Sequence, residues 1–545
     1  MSCLHSLACH ENPVLRHFRG ALFFDGYLPE WKVPTRLQRV CKTSTQLRDY
    51  FSSNPTGAPK PRRRVELTTS VTLFPEPTGV SEKTKARLPP PPFGVQVVLE
   101  TLRQSTRYGP LTELVSGEAD PFCAEFARSK ACVVLTSDSD LLVFDLGPES
   151  TVAFFRDIDE CMDAPQTLKA LIYAPAQISQ TLGLPVEFGL SALAFELAMD
   201  PHLPTNKLLH QAMTASAVTR LPGEYEQFKA QYTWKFSASA IDSAPFPQNL
   251  HCLDPRVSEL VLQCLRSSLH DKGDEDDAQV ESRASENDPV MFLPPLLDSW
   301  KRVNAWETST LLREVAYCLI QLVSKHRSPT ITEYARVIST SSSGRSINVP
   351  SISQFEEHCT MLLSVLDTLR EGLADYGLIW IMLSLYWDVE RSESSGKESV
   401  ALQVLQNETD QQGTIDPSSW NVVHLFAQIQ ATYYSSRVLQ QIVAFVRQET
   451  RTAPRMVQEL FEALSSLPPL PGFPLLGDMA DLPLRLRDAG GLQMLADLTS
   501  REPIDFGTQK RTKRKRGVDQ PKREKPMPKL TVTTSANPFA MLADE

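Results

Sequence analysis

Two pairs of acidic residues could together bind divalent cations. Glu118 and Asp120 form the first pair, and Asp138 and Asp140 form the second, with one residue between the members of each pair. In an extended chain this spacing places both carboxylates of a pair on the same side. Gathered carboxylates repel one another, and hard divalent cations with oxygen ligands relieve that repulsion. The pattern therefore predicts a Mg²⁺ or Mn²⁺ site. The alternative interpretation is that these acids are helix caps and turn residues.

Short apolar runs precede both acidic pairs and indicate the elements that position them. Leu111–Val115 lies before the first pair and Ala131–Leu135 before the second, and both are typical of strands, the second of a buried one. Residues 93–200 alternate between such runs and helical spacing, which favours a parallel sheet flanked by helices. Ligands bind at the carboxyl edge of such sheets. We therefore expect the four carboxylates to meet in one cleft, where two cations about 4 Å apart could assist phosphodiester cleavage.

Helical spacing dominates the chain after about residue 205. One apolar stripe begins near Thr308, and another follows Asp416 and Pro417, where the aspartate can cap a helix and the proline fits its first turn. Stripes of this kind usually form a core rather than a cofactor site. The expected fold is therefore an α/β unit followed by an irregular all-α domain.

Changes in composition and charge divide the chain into segments. The acidic block Asp271–Asp288 and the basic block Lys510–Lys529 repel and solvate rather than pack, so we expect disorder in the first block and after about residue 507. The predicted division is an α/β unit with the acidic pairs at 1–205, which has a linker-like insertion at 52–92, a helical connector at 206–266, an acidic linker at 267–290, an α-helical domain at 291–500 and a basic tail at 501–545.

The overall composition excludes several classes of protein. The chain has 545 residues, of which 41% are hydrophobic and 22% charged, so it can bury a large core. Its net charge of −10 excludes a generic polycation, and any nucleic-acid binding must use local patches. No apolar run approaches the roughly 20 residues that span a bilayer, so no membrane association is expected. The ten cysteines form no C-x-x-C pair, which favours a reducing compartment and argues against a zinc site.

The acidic motifs resemble those of a known family. Gly-Glu-Ala-Asp at 117–120, followed by Ser-Asp-Ser-Asp-Leu-Leu-Val-Phe at 137–144, resembles the internal nuclease motif of the flap-endonuclease (XPG-like) superfamily of PIN-like folds. Phe-Phe-Asp-Gly at 23–26 looks like that family's N-terminal motif, and 193–200 resembles the helix that ends in its last metal-site aspartate. The resemblance implies a Mg²⁺ (or Mn²⁺) site formed by Asp25, Glu118, Asp120, Asp138, Asp140 and Asp200.

Two basic residues, Lys32 and Arg39, follow Asp25 by seven and fourteen residues. They are seven residues apart, which places them on one face of a helix. In the flap-endonuclease family, basic residues at these offsets reach the scissile phosphate, so the resemblance implies a catalytic role. The alternative interpretation is a solvated basic face.

Short pieces of the second half resemble a more specific family, Asteroid. The pieces are Leu293–Leu297, Asn304–Glu307, Leu312–Tyr317 and Ile331–Arg336, with a similar tail at Asn537–Leu542. The nuclease-like resemblance covers roughly residues 15–200, and the Asteroid resemblance extends it thinly over most of the chain.

The chain departs from the superfamily pattern in two places. The superfamily opens with a central strand that ends in an aspartate, but Glu11 is the one acid before Asp25. We therefore expect that the first strand is missing, either because Met1 is not the true start or because a first exon was missed. The glycine-rich hairpin that grips duplex backbone is also not recognisable after Asp200.

Two functions remain open from the sequence. The first is metal-dependent phosphodiester hydrolysis of DNA or RNA at the carboxylate cluster. The second is a catalytically inactive PIN-like scaffold or protein-interaction protein, whose helical half binds a protein partner. Lys510–Arg516 predicts nuclear localisation or a nucleic-acid patch; without it, a cytoplasmic location is expected.

Overall fold

The computed structural model describes most of the chain, with gaps. The described residues are 20–26, 32–58, 88–115, 117–160, 168–232, 248–266, 288–324, 328–450 and 454–502. The segments predicted to be disordered, 271–288 and the tail after 507, lie outside the described residues except for Asp288, and so does most of the insertion at 52–92.

The chain is rich in helix and has small sheets. The strands are β1 Leu22–Phe24, β2 Thr112–Leu114, β3 Val133–Thr136, β4 Thr151–Glu160, β5 Leu168–Tyr173, β6 Val290–Phe292, β7 Thr330–Tyr334 and β8 Arg345–Asn348. The helices of the first half are α1 Val33–Ser53, α2 Gly94–Gln104, α3 Ala119–Lys130, α4 Pro175–Thr181, α5 Leu190–Met199, α6 Thr205–Met213, α7 Ser216–Arg220, α8 Pro222–Tyr232 and α9 Pro255–Arg266. Those of the second half are α10 Thr310–Val323, α11 Ile352–Gly372, α12 Tyr376–Ser394, α13 Val400–Gln403, α14 Trp420–Glu449, α15 Arg455–Leu464, α16 Leu482–Asp488 and α17 Gly491–Leu498.

The described strands form three small sheets instead of the single parallel sheet that the alternation predicts. β1 pairs with β2 in parallel. β3 pairs with β4 in parallel, but β5 joins β4 antiparallel, so the second sheet is mixed. The third sheet, β6–β7–β8, lies in the half of the chain expected to be all-helical. There, β7 pairs with β6 in parallel and with β8 antiparallel.

Helix α3 packs against both of the first two sheets. Phe23 of β1 contacts Phe122 and Phe126 of α3, with ring centroids 6.3 and 5.8 Å apart. Ala127 of the same helix packs in one buried cluster with Val134 of β3. One helix therefore covers both β1, which leads to Asp25, and β3, which leads to the second acidic pair.

Strand β3 is buried on one face and exposed on the other. Val134 is 7% exposed, but Val133 and Leu135 are 53% and 47% exposed. The continuous apolar run predicts a strand buried on both faces. The difference arises because α3 covers one face of the sheet, whereas the face that carries Val133 and Leu135 remains largely open to solvent.

The second half is built around the long helix α14, much of which is buried. Arg313 of α10 is fully buried and connects several elements. Its guanidinium donates to Glu333 of β7 at 2.9 Å, to the Ser435 hydroxyl of α14 at 2.9 Å and to the Trp306 carbonyl at 3.1 Å. A buried charge is tolerated only when it is paired and hydrogen-bonded, so this network fixes β7 against the helices.

Helix α14 begins slightly later than the sequence predicts. Its N-cap is Ser419, whose side chain accepts a hydrogen bond from the Asn421 amide. Asp416 instead accepts from the Ser418 amide and hydroxyl, at 3.0 and 2.7 Å, in the turn before the helix.

Helix α1 is held against the second half of the chain. The indole of Trp420 donates to the Asn54 carbonyl at 2.6 Å and packs on Phe51, with ring centroids 4.6 Å apart. Further along the helix, Arg36 forms an ion pair with Glu259 of α9. The position of α1, which carries the basic residue Arg39 and directly follows Lys32, is therefore set by contacts with distant parts of the chain.

Within the described ranges, no helix is both long enough and apolar enough to cross a membrane.

The ends of β1 and β2 lie so close together that Gly26 has no room for a side chain. A Cβ atom at this position would lie 1.8 Å from the Val115 carbonyl oxygen. We predict that Gly26→Ala lowers the free energy of unfolding by roughly 1–3 kcal/mol, because the strand ends must separate. Urea denaturation followed by circular dichroism measures this change.

The matched control is Gly223→Ala in α8, where an added Cβ meets nothing within 4 Å. This variant should keep the wild-type stability or gain up to about 1 kcal/mol from helix propensity. Equal stabilities for the two variants would show that β1 and β2 are not held in the described register.

Candidate functional site

The first acidic residues lie at the carboxyl ends of β1 and β2. Asp25 directly follows β1, and its Oδ1 accepts a hydrogen bond of 2.7 Å from the Ala119 amide, the first residue of α3. The Gly26 amide donates to the Gly117 carbonyl at 2.8 Å, which extends the pairing beyond the strands. Because the strands are parallel, Asp25 and Glu118 lie at the same edge of their sheet.

The second acidic pair lies in the turn that follows β3. Asp138 caps the 3₁₀ helix Ser139–Leu142, and its Oδ1 accepts a 3.0 Å hydrogen bond from the Asp140 amide. The Asp138 amide in turn donates to the Thr136 hydroxyl at 2.9 Å. Asp138 is therefore a capping and turn residue, as the alternative interpretation of these acids proposes. Its hydrogen bond involves the Asp140 amide and leaves the Asp140 carboxylate available for other contacts.

The electrostatics of Asp120 show that the two acidic pairs are close together. Burial raises the pKa of Asp120 to about 7, and the negative charges of Asp138, Asp25, Glu118 and Asp140 add to that rise. A carboxyl group ionises with difficulty when it is desolvated and surrounded by like charges. Residues from three separate segments of the chain therefore act on one carboxyl group.

The pKa of Asp140 is raised as well, and basic residues oppose part of that rise. Burial and the charge of Asp138 raise its pKa to about 6, with a smaller contribution from Glu118, whereas Lys32 and Arg39 lower it. Lys32 also forms an ion pair with Glu118. The structure thus brings both basic residues singled out in the sequence to the carboxylates.

The donor set suits a hard divalent cation. It consists of carboxylate oxygens, which Mg²⁺ and Mn²⁺ prefer. Oδ1 of Asp140 is buried and has no hydrogen-bond partner, an arrangement that a cation would satisfy. In the part of the chain that the structure describes, however, no group of three or more His, Cys, Asp or Glu side chains is already arranged to hold one ion.

Asp200 has a different position from the other predicted ligands. It lies at the end of α5, and its Oδ1 accepts a 3.1 Å hydrogen bond from the His202 amide. It is not among the charges that act most strongly on Asp120 or Asp140. The buried carboxylate of the same helix is Glu196, which accepts a hydrogen bond from the Ala217 amide.

One residue near the cluster is not indicated by the sequence. Tyr232, the last residue of α8, has its pKa raised by burial and by the charges of Asp140, Asp138 and Asp120. Two strands and four α-helices of the described chain lie between Asp140 and the helix that carries Tyr232, and no motif surrounds this tyrosine. The aromatic positions Phe228 and Tyr232, four residues apart, are the one local signal, and they indicate only a packed helix face.

One comparison with known proteins covers the segments that carry the two acidic pairs. The family model described as "XPG domain containing" matches residues 90–349, just under half of the chain. This span contains Glu118, Asp120, Asp138 and Asp140, and it supports a place in the XPG-like nuclease superfamily. No curated protein and no solved structure matches the chain.

The raised pKa of Asp120 predicts how stability depends on pH. The ordinary value for this group is 3.8, so the folded state favours the protonated form. Its stabilising contribution is complete below about pH 4 and is lost as the pH rises through about 7. We predict that Asp120→Asn raises the melting temperature at pH 8 in the presence of a chelator and has little effect at pH 4.

The control for this measurement is Asp145→Asn. Asp145 lies in the same segment as Asp140, but its side chain is 78% exposed. Its replacement should shift the melting temperature by a small and similar amount at both pH values. If Asp120→Asn gave no gain at pH 8, the carboxylates would not be crowded as described.

Proposed function

We propose that this chain is a nuclease-like protein of the Asteroid type that hydrolyses phosphodiester bonds of DNA or RNA with Mg²⁺ or Mn²⁺. The supporting observation is the crowding of acidic residues around Asp120, together with the family match over the same motifs. The proposal includes a PIN-like origin for the first half, since β1, β2 and β3 each lead to an acidic residue at the carboxyl end.

The residues would have distinct roles in such a reaction. Asp25, Glu118, Asp120, Asp138 and Asp140 would hold the ions, with Asp200 as a further ligand. A bound divalent cation supplies a Lewis acid and a water of lowered pKa. Lys32 and Arg39 would bind the substrate phosphate, since both are close enough to Asp140 for their positive charges to lower its pKa. The unpartnered Oδ1 of Asp140 is available to a cation.

A second function is favoured by one specific contact. The ammonium group of Lys32 pairs directly with Glu118, so one carboxylate already has a counter-charge from the protein itself. Such a pair could stabilise a former metal site in a catalytically inactive scaffold. The helical half, with its continuous core of buried side chains, would then serve to bind a protein partner.

Metal binding and cleavage separate the two functions. We predict that the wild-type chain binds Mn²⁺ in a calorimetric titration and cleaves a labelled branched DNA in its presence. Asp138→Asn should weaken Mn²⁺ binding by about tenfold or more and reduce cleavage at least as much, because a ligand is removed. A wild-type chain that neither binds Mn²⁺ nor cleaves the DNA would favour the scaffold.

The control variant is again Asp145→Asn. It removes one negative charge from the same segment, at a side chain that is largely exposed. It should bind Mn²⁺ and cleave DNA like the wild type. A loss equal to that of Asp138→Asn would mean that net charge, rather than a specific site, attracts the ion.

We also propose that Lys510–Arg516 directs the protein to the nucleus. This basic run lies outside the described residues, and the proposal rests on its composition. Deleting 510–516 from a fluorescently tagged chain should abolish nuclear accumulation, as seen by microscopy. An unchanged distribution would assign the run another role.

A further inference from the structure

Tyr232 is fixed beside the turn that carries the second acidic pair. Its ring lies edge-on to Phe144, with centroids 5.4 Å apart, and 5.0 Å from Phe228 one turn earlier in α8. Phe144 is buried in the same cluster as Leu141, the residue that follows Asp140. The aromatic contacts therefore hold the tyrosine ring against the Asp138–Phe144 turn.

Tyr232 is a neutral hydrogen-bond donor near the carboxylates, since its ring packs on Phe144 of the turn that follows the second acidic pair. Burial and the charges of Asp140, Asp138 and Asp120 raise its pKa, so the hydroxyl keeps its proton at physiological pH. Tyr225, two turns earlier in the same helix, shares a 2.7 Å hydrogen bond with the Ser191 hydroxyl. Among the described residues, no side chain or carbonyl forms a comparable bond with the Tyr232 hydroxyl.

A neutral hydroxyl has a specific advantage at this position. Lys32 and Arg39 are cations, and an ammonium or guanidinium group competes with a metal ion for the carboxylates, as the Lys32–Glu118 pair shows. A phenol does not compete in this way, yet it donates a hydrogen bond to a phosphate oxygen. Tyr232 belongs to α8, whereas the two cations belong to α1 and to the residue preceding it.

We propose that the Tyr232 hydroxyl donates a hydrogen bond to a non-bridging oxygen of the phosphodiester bound at the carboxylate cluster. The inference rests on the proposed function and adds a substrate-binding residue to it. Because the contact is made when the substrate binds, its loss should affect KM more than kcat.

The test compares Tyr232→Phe with Tyr225→Phe in the full-length chain. Each variant removes one hydroxyl from α8 and keeps the ring that packs in the core. Steady-state cleavage of a labelled branched DNA with Mn²⁺ gives KM and kcat, and calorimetry gives Mn²⁺ affinity. Melting curves establish that both variants are folded.

We expect Tyr232→Phe to raise KM by about tenfold with unchanged Mn²⁺ affinity, since hydrogen bonds to charged groups have effects of this size. Tyr225→Phe should keep the wild-type KM. If Tyr232→Phe keeps the wild-type KM while Mn²⁺ still binds and DNA is cleaved, the inference about Tyr232 is wrong and the proposed function stands. If kcat falls equally in both variants, the role of Tyr232 is structural and the inference is overturned. A wild-type chain without Mn²⁺ binding or cleavage would overturn both.

Discussion

Mutual repulsion among carboxylates is the constraint on which the arrangement of the first half depends. Five acidic residues act on one another through Asp120 and Asp140, and folding them together is unfavourable unless counter-charges are supplied. The protein supplies some of them itself. Asp25 binds the amide at the start of α3, where the helix dipole is positive, and Lys32 pairs with Glu118. The negative charge that these contacts leave uncompensated favours binding of a divalent cation among the carboxylates.

The second half of the chain contributes to the site by holding α1. Trp420 and Glu259 bind this helix from α14 and α9, far along the chain, and Ser44 of α1 accepts a hydrogen bond from the Val337 amide. The basic residues that act on Asp140 therefore depend on packing between distant segments. A change in that packing would move Lys32 and Arg39 relative to the carboxylates without altering any acidic residue.

The sequence predicts local relations well and long-range relations poorly. An acidic residue directly after an apolar strand is a local pattern, so the positions of Asp25, Asp138 and the start of α3 follow from it. The pairing of strands is not local: β5 joins its sheet antiparallel, and β6, β7 and β8 form a sheet in a region whose spacing indicates helices. The position of β7 depends on the buried pair of Glu333 with Arg313, which is twenty residues away. The spacing of apolar residues gives no indication of such a pair. Tyr232 is missed for the same reason, since its approach to Asp140 depends on how α8 folds back.

The position of a bound Mn²⁺ ion is the decisive observation for the proposed metal site. Crystals grown with Mn²⁺ and measured on both sides of the manganese absorption edge would show the ion by its anomalous scattering. We expect a peak within coordination distance of the carboxylate oxygens of Asp120, Asp138 and Asp140. A structure at the same Mn²⁺ concentration that has no peak there, with Lys32 still paired to Glu118, would contradict it.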